Sequence, residues 1–266
     1  MKHLFSKKNR VLLSELVRTD FKLRYQASVL GYAWSLLRPL FLFLILYVVF
    51  VKFLAVGSDI PNFPVYLLLG IVVWNFFAEM TMQSLGSIVG RGDLIRKIKI
   101  PRWIIVLSSS LSALINLCIN LLVVVVFMIF SKVDVTATVV FIPFLLIQVY
   151  IFALGVSLIL ASAYVKYRDV NYIWEVLMQG GFYATPILYS FSLIKDNPLI
   201  QKLIFLNPMA QIIQDARYAL VTSETVTIRN VDAGWIAVVP YAMTILILIL
   251  GILYFRRESK YFAENI

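Results

Sequence analysis

The chain has 266 residues, of which 61 % are apolar, with a mean hydropathy of +0.89 and a formal net charge of +10 at pH 7. Soluble domains are roughly 45–50 % apolar, so this composition excludes a soluble enzyme or nucleic-acid-binding domain and describes an integral membrane protein whose cations face anionic lipid and phosphorylated partners. Cys118 is the only cysteine and His3 the only histidine, which rules out an internal disulfide and a metal site built on those two residue types.

The first predicted element is a basic amphipathic helix. Leu12, Leu13, Leu16, Val17 and Phe21 recur at helical spacing, with Glu15, Arg18, Thr19 and Lys22 on the other side, and residues 1–38 carry eight Lys or Arg. Such a helix lies in the headgroup layer, its apolar stripe among acyl chains and its cations near phosphates. The alternative is a simple positive-inside flank. A cleaved secretory signal is not expected, because the apolar run begins only near Trp34 and leads to Lys52 rather than a small-residue cleavage motif.

Six apolar segments follow, at 36–56, 65–88, 103–130, 139–165, 172–189 and 235–255. A hydrocarbon core of ~30 Å takes about 20 helical residues to cross, and none of these runs alternates as a barrel strand does. The expected fold is all-α: six transmembrane helices, an N-terminal amphipathic interface helix and short external re-entrant helices. The expected divisions are an interface helix over 1–35, a membrane domain over 36–256 and a cytoplasmic tail over 257–266. With both termini inside, eighteen of the 24 Lys and Arg fall in cytoplasmic parts, as the positive-inside rule requires.

Between the second and third spans runs GRGDLIRKIKIPRW, residues 90–103. Asp93 is suited to cap a short helix. Leu94, Ile95 and Ile98 give that helix an apolar side, Arg96, Lys97 and Lys99 project elsewhere, and Pro101 opens the next span. A basic amphipathic helix at the membrane face fits a groove on a soluble partner; the alternative is a loop that only contacts lipid. The outer loop 190–234 holds two short apolar stretches, 199–206 and 209–221, separated by Asn207 and Pro208. They are too short to span and fit interfacial or re-entrant helices, a candidate external gate.

Within the spans, Glu79 lies at four-residue spacing from Asn75 and Gln83. An intramembrane carboxylate is costly and faces a cavity or a partner, so Glu79 is a candidate for lining a channel, with ion coupling as the alternative. Ser108, Ser112, Asn116 and Asn120 share one face of the third span, suited to close packing or to a hydrophilic route. Phe43, Tyr47 and Phe50 form an aromatic stripe on the first span; their rings suit a sliding sugar, or ordinary packing. The sequence contains no G-x-x-x-x-G-K-[ST], G-x-S-x-G or H-E-x-x-H. It therefore has no phosphate-cradling loop of its own, and no set of acids and bases for catalysis gathers at one membrane depth.

Six stretches, in order and covering nearly the whole chain, resemble the ABC type-2 transport permeases that export polysaccharide, O-antigen and teichoic acid. They are RYQASVLGYAWSLLRPL (24–40), LIRKIKIPRWIIVLSS (94–109), YRDV (167–170), YATPILY (183–189), NPMAQIIQDARYALV (207–221) and YFAENI (261–266). The resemblance implies a homodimer of permeases in the bacterial cytoplasmic membrane, served by two separate cytoplasmic ATPases. ATP and Mg would be bound by those partners and no cofactor by this chain. It also implies a glycan carried on a polyprenyl pyrophosphate, for which Lys22, Arg24 and Arg38 are candidates to receive the pyrophosphate, the alternative being simple contact with membrane phospholipid. Residues 93–99 would then be the helix that couples to the ATPase. An exporter of a smaller lipid or drug, and an ion-coupled secondary transporter using Glu79, are the competing functions; the latter requires inverted repeats.

Overall fold

A computed structural model describes residues 7–25, 30–54, 60–97, 100–134, 136–189, 191, 197–231 and 234–265, and among them every regular element is helical. The amphipathic segment forms α1 (Lys7–Tyr25). Its half-buried positions include Leu12, Leu13, Leu16, Val17 and Phe21, while Glu15, Arg18, Thr19 and Lys22 are exposed, as the helical period dictates.

Five helical segments are long and apolar enough to cross a bilayer: Trp34–Phe53, Phe63–Ser87, Trp103–Phe130, Ala137–Lys166 and Trp235–Tyr261. The first comprises α2 (Trp34–Leu46) and a wider π-type continuation, Tyr47–Phe53. The next three contain α3 (Phe63–Ser87), α5 (Trp103–Phe130) and α6 (Ile142–Lys166), and the last contains α11 (Val239–Glu258). The stretch expected as a fifth span, 172–189, differs. Its helix α7 (Val170–Ala184) has 15 residues, about 22 Å at 1.5 Å per residue. It stops where Thr185 turns extended ahead of Pro186, because the residue before a proline is forced out of the helical region.

Helix α3 is the centre of the bundle. Its apolar window is 78 % buried, against 11 % for the first span, because α5, α6, α7 and α2 all pack around it. The tightest crossing is between α6 and α11. A Cβ on Gly155 would lie 2.7 Å from the backbone nitrogen of Leu248, and one on Gly251 would strike the Gly155 carbonyl. Backbones meet there because neither residue has a side chain, the small-residue contact that drives helix association in lipid.

Short helices sort to the two ends. α8 (Pro198–Phe205), α9 (Pro208–Leu220) and α10 (Ile228–Val231) follow α7. Of these, α9 packs against α3, α6 and α11, touching residues near their N-terminal ends: Tyr66, Gln148 and Tyr241. The opposite end carries α1, α4 (Gly92–Lys97) and α12 (Phe262–Asn265). There Phe262 is buried among Ile88, Ile105, Leu158, Val165 and Phe255, stacking edge-on with Phe255.

Candidate functional site

Helix α4 is the element with the clearest partner-binding character. It continues directly from a single turn at Val89–Arg91, so Asp93 lies within its first turn rather than ahead of it. There its charge still complements the positive end of the helix. Leu94 and Ile95 are half-buried, and Ile95 packs on the cluster around Phe262; Asp93, Arg96 and Lys97 are exposed. Ile98 and Lys99 lie outside the described residues. An arginine on either side of this loop ties it to a distant part of the chain. Arg91 forms an ion pair with Asp20 of α1 and reaches the Ile105 carbonyl and Ser108 hydroxyl, each at 3.4 Å. Arg102 donates to the backbone carbonyl of Ser259, beyond α11. A second cleft lies here, bordered by Ile95, Pro101, Trp103, Ile252 and Phe255.

The polar residues of α5 run from this end towards the centre. Ser112 is buried and donates to the Ser108 carbonyl at 3.0 Å, a bond that keeps it within its own helix. Asn116 and Asn120, further along, open onto a cleft of ≈ 710 Å³ between α2, α3 and α5. This cleft gathers three residues picked out separately from sequence: Arg38 from α2, Glu79 from α3 and Asn116 from α5. Glu79 Oε1 accepts from Gln83 Nε2 at 2.7 Å and from Asn116 Nδ2 at 2.6 Å, so one carboxylate oxygen serves two amides. Asn116 Oδ1 is buried without a hydrogen-bond partner among the described residues. Asn120 ties α5 to the start of α2 through the Ser35 carbonyl at 3.3 Å. Trp34, 44 % exposed, stands on the same wall.

The other sequence-selected residues are placed elsewhere. Phe43 is buried edge-on against Phe127, 5.5 Å between centroids, and touches Tyr47. Phe50 packs on the same core. Lys22 is exposed on α1; the side chain of Arg24 lies outside the described ones.

At the far end, the Asn-Pro and Thr-Pro stretches form one structure. Asn207 caps α9 by accepting from Met209 N at 3.0 Å, and its Nδ2 donates to Thr185 Oγ1 at 3.3 Å. Pro208 supplies the first residue of the helix, where its missing N–H costs nothing. Arg217, wholly buried, then fastens α9 to two other segments. Its Nε donates to the Tyr66 carbonyl at 2.9 Å, Nη1 to that of Pro186 at 2.6 Å and Nη2 to that of Ile187 at 2.8 Å, and the guanidinium lies 3.6 Å from the Tyr66 ring centre. Burial pushes the Arg217 pKa down, opposed by the Tyr66 contact. A second network joins Gln148 of α6, Gln211 and Asp215 of α9, and Tyr241 of α11.

Asp20 and Arg217 escaped the reading of the sequence. Arg217 looks like any loop cation, since its partners are backbone carbonyls that leave no mark on composition. Asp20 did carry a signal: it lies one residue before Phe21 on the apolar side of α1, where a carboxylate needs a partner.

Polytopic topology, an amphipathic helix carried at one end and a polar cleft among the spans define a membrane transport subunit. The chain matches the ABC-2 type transporter family over residues 11–221. It is similar to two O-antigen export system permease proteins RfbA from Klebsiella pneumoniae, at 30 % and 28 % identity, each over 95 % of this chain and 94 % of the relative. A protein of the same name from Myxococcus xanthus is 32 % identical over 76 % of this chain and 77 % of its own length. The chain belongs to the ABC-2 type transporter family.

Proposed function

We propose that this chain is the permease subunit of an ATP-driven exporter that carries a polyprenyl-pyrophosphate-linked polysaccharide across the bacterial cytoplasmic membrane. O-antigen is the cargo named in its relatives, and teichoic acid belongs to the same chemical class. The observation that carries the reading is α4. It is a short helix with exposed Arg96 and Lys97 and half-buried Leu94 and Ile95, presented by a chain whose sequence has no nucleotide-binding loop. Energy must then arrive from a separate ATPase, and ATP and Mg belong to that partner.

Four finer features follow. Both termini face the cytoplasm, in keeping with the cation distribution and with α1, α4 and α12 sharing one end. Helix α7 and the buried segment 185–188 together make a further crossing, fifth in chain order and bringing the total to six, and α8 and α9 form the external platform. Two copies pair through the faces of α2 and α7. On α7 no residue is buried, and Glu175 and Gln179 are exposed among Tyr172, Val176 and Tyr183. A carboxylate facing lipid costs about 2.5–3.5 kcal/mol at the bilayer centre, so that face is better set towards a hydrated route between protomers. Lys22, Arg24 and Arg38 receive the pyrophosphate at the cytoplasmic leaflet.

The test is to replace Ile95 and Ile98 with Asp. The spans stay folded, co-purification with the ATPase is lost, and glycan-stimulated ATP hydrolysis disappears. Persistence of both in the variant refutes the docking role. ATP-dependent movement of lipid-linked glycan in proteoliposomes tests the function as a whole.

A further inference from the structure

We infer that the cleft between α2, α3 and α5 is a recognition site for the first sugar of the lipid-linked glycan, read together with the phosphate that joins it to the lipid. The inference rests on the exporter reading above and deepens it. The cleft holds ≈ 710 Å³, within the range of roughly 300–1,000 Å³ usual for small-ligand sites, whose few polar groups fix orientation.

The chemistry of its walls selects the ligand. Glu79 Oε1 is held by two amides, from Gln83 and Asn116, so the carboxylate is oriented before any ligand arrives. Asn116 is 3 % exposed and its Oδ1 has no partner among the described residues. Left unpaired, that buried oxygen costs about 1–3 kcal/mol, and a turn of the Asn116 side chain would bring it to a ligand donor in the cleft. These acceptors call for hydroxyl or amide donors, which sugars supply in number and acyl chains do not. Asn75 and Asn120 stand on the same walls. Trp34 offers an indole face of the kind that covers the apolar C–H side of a pyranose. Arg38, one helical turn beyond Trp34, supplies a cation for the adjoining phosphate. Hydroxyl acceptors, a flat aromatic and a guanidinium within one cleft match a sugar phosphate better than a sugar or a phosphate alone.

A phospholipid headgroup shares part of this chemistry, so the experiment separates the two. The permease–ATPase complex is placed in phosphatidylcholine nanodiscs. Affinity is measured for a short-chain polyprenyl pyrophosphate bearing one sugar and for the same carrier without it. The wild type should prefer the sugar-bearing probe by about tenfold or more. Glu79→Gln and Trp34→Leu should reduce that preference to about twofold, and Arg38→Gln should weaken both probes alike. Trp34 is partly exposed, so its replacement keeps the test valid if Glu79→Gln destabilises the protein. Equal affinity for the two probes overturns the inference, as does a preference that survives both Glu79→Gln and Trp34→Leu. Displacement of both probes by phosphatidylglycerol at equal mole fraction overturns it too, and makes the cleft a phospholipid site. ATP-driven glycan transport by the wild-type complex is measured in parallel. Its absence defeats the exporter reading itself, whereas transport without sugar preference defeats only the assignment of the cleft.

Discussion

The two ends of the bundle use arginine in opposite ways. At the α9 end, Arg217 is wholly buried and spends its donors on three backbone carbonyls from two other segments. At the α4 end, Arg91 is 19 % exposed and pairs with the carboxylate of Asp20, while Arg102 reaches one carbonyl of the C-terminal segment. A desolvated arginine serving several carbonyls fixes geometry, because no rearrangement can satisfy them all again. A single ion pair whose partners are 19 % and 18 % exposed keeps some water within reach, so opening it costs less than undoing the Arg217 cluster. The fold is locked where α9 caps it and hinged where α4 protrudes.

The largest expected effect comes from breaking the locked end. Arg217→Met leaves the carbonyls of Tyr66, Pro186 and Ile187 unpaired in the interior, at about 1–3 kcal/mol each. The detergent-solubilised variant should lose ~3 kcal/mol or more of stability and yield little folded protein. Arg217→Lys should rescue only part, because an ammonium lacks the planar fork. Wild-type thermal inactivation rates in both variants would erase the distinction between the ends.

A smaller effect in stability, and a larger one in coupling, is expected at the hinged end. Asp20→Asn and Arg91→Gln should each cost about 1–3 kcal/mol in folding, since each leaves a mostly buried partner unpaired, yet separate ATP hydrolysis from transport, because α1 no longer follows α4. The exchange Asp20→Arg with Arg91→Asp should restore transport. Unchanged transport per ATP in both single variants would show that the pair is only a surface contact.

The smallest effect concerns pH. Burial raises the Asp215 pKa, against the hydrogen bonds from Gln211 and Tyr241 and the charge of Arg229. A carboxyl with a raised folded-state pKa contributes stability below its unfolded pKa and loses it as pH rises through the folded value. The α9 end should therefore weaken slightly as pH climbs out of the ordinary carboxylate range, and Asp215→Asn should flatten that slope. An identical pH profile for the variant, in thermal inactivation, would remove Asp215 from the account.

The sequence made the long spans, α1, α4 and the α8–α9 pair legible because each is written locally, in apolar length, helical period or a proline. Glu79, Asn116 and Arg38 were also singled out locally, as polar groups in or beside apolar runs. Their meeting in one cleft depends on how α2, α3 and α5 pack, which no local pattern encodes. Arg217 was missed for the same reason, and the joining of Asn207 to Thr185 spans a loop whose path is set by tertiary contacts. The expectation of a full-length helix over 172–189 overlooked the rule that correctly divided α8 from α9. Pro186 ends α7 as Pro208 begins α9.

The glycine crossing of α6 and α11 also bears on how the protein is made. Translation proceeds from the N-terminus, so α6 enters the bilayer long before α11 exists. Until the last span arrives, the flat surface at Gly155 has no Leu248 or Gly251 against it, and Gln211 and Asp215 lack Tyr241. A nascent chain halted before 239 therefore displays an unfilled seam and part of a polar network to its surroundings. The molecule acquires its final shape only when its last long helix closes that seam.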